Sequence, residues 1–303
     1  MAIADHVASY DLHLHTCFSY DGQAQAAEHF ARARELGVGV IAITEHHNMD
    51  SLDEVRDAAA RSPGVRAIPA AELTVTTSSF GNVDLLCYGL PIAPRGKLEA
   101  VLHAYHDWQR EAGAKLSAGL VALGCDFDDA RRLELLKTYR PERAIARQGA
   151  THVKNGVLRD YVIERGWADD EGGYGELMRR AHEAVTPPPY PDPAMVADAV
   201  HDVGGVVAIA HPQRYFQGAD RERMDALRIE CGLDAIECAH PSVEPEYGAV
   251  YEAYCGEHGL LCVAGSDCHD TRAVERNFAR HGGKAGWAEA LLERLTHTNV
   301  LAG

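Results

Sequence analysis

The feature that most restricts what this chain can fold into is a short segment near its start, Tyr10-Asp11-Leu12-His13-Leu14-His15-Thr16. Side chains alternate between the two faces of a strand, so His13 and His15 are expected on one face, Leu12 and Leu14 on the other. Two imidazoles about 7 Å apart at a strand end can grip one metal ion from a single rigid element. The habit recurs: short apolar runs carry or end in Glu45-His46, Glu72, Asp84, His211, Glu237 with His240, and Asp267 with His269. A chain that keeps finishing buried strands with metal-ligating side chains reads as one that builds a metal cluster.

Between these runs lie helical patterns. Residues 23–36 read as a helix closed by Gly37, and Ser51-Leu52-Asp53-Glu54 as a capping box. Strands alternating with helices imply a parallel sheet, and ligands at strand C-termini imply a TIM-like barrel with its site at the C-terminal mouth. From Lys97 the strand signals stop and helical spacing takes over, until Thr186-Pro187-Pro188-Pro189-Tyr190-Pro191 forms a stiff connector. Asp192 then caps a helix with Pro193 in its first turn. The expected organisation is a first barrel part over 1–95, a helical, substrate-binding insertion over 96–192 and a second barrel part over 193–303.

The 303 residues carry a formal charge of −16, which argues against an extended nucleic-acid surface. Bound cations would reverse that sign locally, so a phosphorylated substrate stays open. No apolar stretch is long enough to cross a bilayer, and the first six residues lack the regions of a secretory leader, so a cytoplasmic setting is expected. Eight cysteines without a C-x-x-C pair read as small buried thiols rather than disulfides or zinc ligands.

His13-Leu14-His15-Thr16, Asp21-Gly22, Thr44-Glu45-His46, Glu72, Ala210-His211-Pro212 and Gly265-Ser266-Asp267-Cys268-His269 together resemble the PHP (polymerase and histidinol phosphatase) family. The likeness covers residues of about 8–92 and 193–270. Within the family, the Ala-His-Pro-x-Arg-Tyr stretch and the helical insertion look most like the branch acting on nucleoside 3′,5′-bisphosphates and RNA 5′ ends. The resemblance implies an α/β fold, a distorted (β/α)7 TIM-like barrel with an inserted helical subdomain, binding two or three divalent metal ions (Mn, Fe or Zn). It implies His13, His15, Glu72 and Asp267 on one ion, Glu72, Asp84 and His211 on a second, and Asp21, His46 and His269 on a third. Two positions depart from the family pattern: Glu45 stands where Asp is usual, and Asp84 where His is usual.

Bridged divalent ions would ready a water for attack and neutralise a phosphoryl group, so hydrolysis of a phosphate ester is expected. Asp267 or a metal-site histidine such as His211 would manage protons. Arg214, three residues after His211, is the foremost phosphate contact, followed by Arg143, Arg147, His152 and Lys154 in the insertion. The expected partner is a phosphorylated small molecule or short oligonucleotide. His240 is expected to line the mouth, His47 to support or face substrate, Cys268 to point away, and Arg131-Arg132 to be a solvated surface. Competing readings are histidinol-phosphate phosphatase, an amidohydrolase and a non-catalytic nucleotide sensor. The amidohydrolase reading is weakened because no lysine ends a strand.

Overall fold

The computed structural model describes residues 6–295 and 300–302; Met1 to Asp5, most of the segment inspected for a leader, lie outside them. Two compact units emerge, Met1–Leu102 with Tyr190–Gly303, and His103–Pro189.

In the first unit the chain runs β1 (Tyr10–Leu14), α1 (Ala26–Leu36), β2 (Val40–His46), α2 (Leu52–Ala60), β3 (Arg66–Thr77) and β4 (Gly81–Tyr88). Helix α3 (Lys97–Ala122) starts there and continues into the second unit, which holds α4 (Asp129–Lys137), α5 (Glu142–Gln148), α6 (Asn155–Glu164) and α7 (Glu171–Ala184). The first unit resumes with α8 (Pro193–Asp202), β5 (Val206–Ile209), α9 (Arg221–Glu230), β6 (Ala235–Ala239), α10 (Pro245–His258), β7 (Leu261–Ala264), α11 (Thr271–Asn277), α12 (Gly286–Arg294) and β8 (Leu301–Ala302).

Strands β1 to β7 lie side by side in sequence order, and β8 pairs with β3. A bridge from Leu14 to Cys268 brings the segment after β7 back beside β1, so the seven strands form a nearly closed barrel. Two described strands depart from the parallel sheet expected above: β4 is antiparallel to both β3 and β5, and the short β8 is antiparallel to β3. A parallel crossover needs a dozen or more residues, whereas only three separate β3 from β4. Thr77 closes this tight turn by donating its hydroxyl to Gly81 O at 2.7 Å.

The barrel interior is filled by Tyr10, Leu12, Ala42, Ile68, Leu86 and Ala208 among others, and Leu291 and Leu295 of the α12 region close it. Leu14 instead packs with Phe30, Ile41 and Val55 on the outer face. Leu12 and Leu14 therefore do not share a side. A register shift between Asp11 and Leu14 reverses the phase, which frees His13 and His15 to join the mouth after two inward apolar residues.

At α2, Ser51 occupies the N-cap in helical backbone without a side-chain cap bond, so the expected capping box does not form. Asp192 does cap α8, accepting from the N–H groups of Ala194 and Met195. The second unit has its own core around Leu120, Phe127, Leu136, Val162 and Leu177. Arg132, expected in solvent, is buried there: it donates to Gly113 O, Ser117 Oγ and Asp129 Oδ1 at 2.6–2.7 Å. A guanidinium offers five donors, enough to tie α4 to α3 through several acceptors at once.

Candidate metal centre

Strands β1, β2, β3, β4 and β6 each deliver a candidate ligand or a supporting acid from within the strand, whereas β5 and β7 deliver theirs from the loops that follow, at His211 and in Gly265–His269. The centre of the arrangement is Glu72, fully buried on the inward phase of β3. Its Oε2 lies 3.1 Å from His13 Nε2, 3.2 Å from His15 Nε2 and 3.2 Å from His46 Nδ1, and its Oε1 lies 3.2 Å from His211 Nε2. Asp267 Oδ1 completes the first group at 3.3 Å from His13 Nε2 and 3.2 Å from His15 Nε2. A third group forms where Asp21 approaches His46 at 3.6 Å and His269 at 3.4 Å.

Hydrogen bonds fix which ring nitrogen is available. His13 Nδ1 donates to Glu237 Oε1 at 3.0 Å, His15 Nδ1 to Ser19 Oγ at 2.9 Å, and His269 Nδ1 to the Asp267 carbonyl at 3.0 Å. In each neutral ring the Nε2 lone pair then faces the carboxylates, which is the ligand tautomer. His15 Nε2 is buried and makes no hydrogen bond, although two carboxylate oxygens stand within 3.2 Å. Imidazole and carboxylate donors around an atom left unsatisfied fit divalent cations. His240 is built the other way. Its Nδ1 accepts from the Ser242 N–H at 3.0 Å, so the neutral ring carries its proton on Nε2, 3.5 Å from Asp267 Oδ2.

The electrostatics follow from burial and crowding. Burial opposes charge on His13, but Glu237, Glu72 and Asp267 outweigh it and hold the imidazole well above its ordinary value. The same balance raises His211 to about 9, chiefly through Glu72, and His269 to about 10, chiefly through Asp267 and Asp21. Burial would lift the carboxyls of Glu72, Asp267 and Asp21, yet the facing imidazoles hold all three far down. Backbone strain gathers here too. His47, His211 and Asp267 have φ of 64°, 29° and 55°, a region costing a non-glycine residue about 1–3 kcal/mol.

Asp84 sits differently from the other ligand candidates. Its Oδ2 is 3.9 Å from His211 Nε2, while Thr74 Oγ donates to its Oδ1 at 2.6 Å and the Tyr215 hydroxyl to its Oδ2 at 2.5 Å. Thr74 in turn accepts from His47 Nε2 at 2.8 Å. Arg214 is exposed on the turn after His211 and lines a hollow with Gln213, Ser242 and Tyr247. In the second unit Arg143 and Arg147 are exposed on α5, and His152 and Lys154 follow in the loop before α6. Cys268 is buried among Leu14, Val274 and Phe278 on the outer face.

The PHP domain pattern matches residues 11–202 of this sequence. The chain belongs to the PHP domain family. Relatives include the 5′-3′ exoribonuclease Rnm of Escherichia coli, 26% identical over 89% of this chain and 88% of that protein. The 3′,5′-nucleoside bisphosphate phosphatase of Chromobacterium violaceum is 27% identical over 87% and 88%. A Bifidobacterium adolescentis structure, described as a metal-dependent phosphoesterase, superposes with a TM-score of 0.70 at 23% identity, covering 94% of this chain and 96% of that one. This PHP protein is a hydrolase of the metal-dependent phosphoesterase kind.

The hydrogen-bond partners of several acids in the PHP site escaped the sequence reading, which named Glu237 and Glu45 and gave Asp11 no role. Glu237 holds His13 and also accepts from the His211 N–H at 2.5 Å; its signal was an acid at the inward phase of an apolar strand. Asp11 accepts from Ser266 N at 2.9 Å, Ser266 Oγ at 2.6 Å and Ala279 N at 2.7 Å, which fixes the loop carrying Asp267. Glu45 is buried behind His15: Ser19 Oγ donates to it at 2.6 Å and Thr16 N at 3.1 Å. Through Ser19 it orients His15.

Proposed function

We propose that this protein hydrolyses a phosphate ester of a nucleotide or short oligonucleotide, a nucleoside 3′,5′-bisphosphate being the favoured substrate. The observation that carries the reading is Glu72, one buried carboxylate with an imidazole from each of four positions on its two oxygens. Such a carboxylate is suited to bridge cations. His13, His15 and Asp267 would share one with it, His46, His269 and Asp21 would hold another, and His211 with Asp84 a third. Mn, Fe and Zn all suit these donors. Such ions, when bound, lower the pKa of a water and neutralise phosphoryl charge.

The chain's own groups supply the rest. Arg214 binds a phosphate through its planar fork of donors. His240 presents its Nε2 proton beside Asp267, where it can donate a hydrogen bond to a substrate oxygen. Arg143, Arg147, His152 and Lys154 of the insertion contact the remainder of the substrate.

The test is phosphate release from a nucleoside 3′,5′-bisphosphate and from histidinol phosphate, with Mn, Fe and Zn supplied separately. Turnover of the bisphosphate at least tenfold above histidinol phosphate is expected. Arg214→Ala should raise KM by about 10- to 100-fold, the worth of a lost charge-assisted hydrogen bond, with kcat little changed. Equal or greater turnover of histidinol phosphate would reassign the enzyme; no turnover of any ester with any of the three metals would end the proposal.

A further inference from the structure

Strand β6 has two chemical faces. Glu237 turns inward to His13, so the next side chain, Cys238, turns outward beneath α10. Register pairs Ile236 with Cys262 on β7, which puts Cys262 on the same outer side. Helix α10 packs across both strands and contributes Cys255.

The three sulfur atoms lie within 4.8 Å of one another, with Cys238 and Cys255 3.9 Å apart. Cys238 and Cys255 are buried, Cys262 is half-buried, and all three are free thiols. Two of them have weak local partners: Cys238 donates to Ile236 O and Cys255 to Leu261 O, each at 3.4 Å. Three thiolates around one cation, with metal–sulfur bonds of about 2.3 Å, stand roughly 3.8–4.0 Å apart. One pair already has that spacing, and the third sulfur is a small side-chain adjustment away.

We propose that Cys238, Cys255 and Cys262 form a three-thiolate site for a single thiophilic divalent d10 cation of the zinc type, separate from the metal centre and on the other side of β6. Sulfur-only donors select such soft ions over those favoured by imidazole and carboxylate. Charge favours a dication: three thiolates bring −3, so a divalent ion leaves −1 in a largely buried place and a monovalent ion −2. Binding forms three metal–sulfur bonds and releases the thiol protons to water. A cavity of about 350 Å³, lined by Cys238, Glu252, Lys284 and Trp287 among others, gives an ion a way to the cluster and leaves room for a fourth ligand.

The experiment titrates metal-stripped full-length protein with Cd²⁺, the spectroscopic analogue of Zn²⁺. A sulfur-to-cadmium charge-transfer absorption saturating at one equivalent is expected, with three thiols protected from alkylation. The barrel centre has no sulfur donor, so it cannot produce this band whatever its own occupancy. Cys262→Ser and Cys262→Ala, at the half-buried position, should weaken Cd²⁺ binding at the band at least 100-fold, and Cys125→Ser, on the second unit, should leave it unchanged. No charge-transfer band, or a band that survives Cys262→Ser, overturns the site.

Discussion

At the scale of single residues, the centre depends on acids that orient imidazoles as much as on the ligands. Glu72→Gln keeps the shape and removes the charge facing four imidazoles, so activity should fall at least 100- to 1,000-fold. Metal content by mass spectrometry should fall with it. Glu237→Gln is a finer probe. An amide nitrogen turned toward His13 Nδ1 would reverse the ring's tautomer and point a proton at the cation, so metal affinity should drop about 10- to 100-fold. Unchanged affinity by calorimetric titration would mean that Glu237 serves only the His211 backbone. The ligand candidates were legible because strand-end histidines and acids are rare without a purpose. The long-range partners of Glu237, Asp11 and Ser19 were not, because they lie 26–268 positions away in sequence. Arg132 was misread for a related reason: a basic pair looks alike on paper whether its second member faces water or a neighbouring helix.

At the scale of elements, the loop after β7 is held by close packing. A Cβ on Gly265 would meet the His13 Cβ at 2.1 Å and the His13 backbone N at 2.4 Å. Neither atom can retreat without moving β1, so Gly265→Ala should cost about 3 kcal/mol or more and displace Asp267. Chemical denaturation and metal content would both report it. The strand ends and most helices followed from periodicity and caps, but the reversal of β4 did not. Short apolar runs look the same in either direction, and only the length of the connection to β3 carried the clue. The phase shift in β1 was invisible too, since an irregularity in pairing leaves no mark on composition. Asp84 lies on the reversed strand, its oxygens taken by Thr74 and Tyr215. Asp84→His should therefore raise metal bound per chain at a fixed free concentration, because it replaces engaged carboxylate oxygens with an imidazole nitrogen donor beside His211. Inductively coupled plasma analysis would decide it.

For the whole molecule, pH and metal act through the same groups. In the stripped protein His211 is held up to about 9 and His269 to about 10. Their protonation therefore contributes stability fully below about 6.5, the free-imidazole value, and that contribution is lost as pH rises through 9 to 10. Glu72, Asp267 and Asp21 are held down, so their contribution is present above about 4.5 and lost in acid. The stripped protein should thus be most heat-stable between about pH 4.5 and 6.5. Cations compete with the imidazole protons, so the Tm gain on adding metal should widen from pH 6 to 9. A gain that shrinks over that range in scanning calorimetry would contradict the assignment of His211 and His269 as ligands. The helical character of the insertion was readable from its spacing, whereas its substrate contacts were not, because exposed arginines carry no mark of what they meet. The reversed hairpin strand has one more consequence. Side chains on a strand face alternate ways, so one residue added or deleted between Phe80 and Val83 would swing Asp84 out of the mouth while every other ligand candidate stayed in place. That short turn is where a change in sequence length, with no ligand replaced, could alter how many cations the barrel holds.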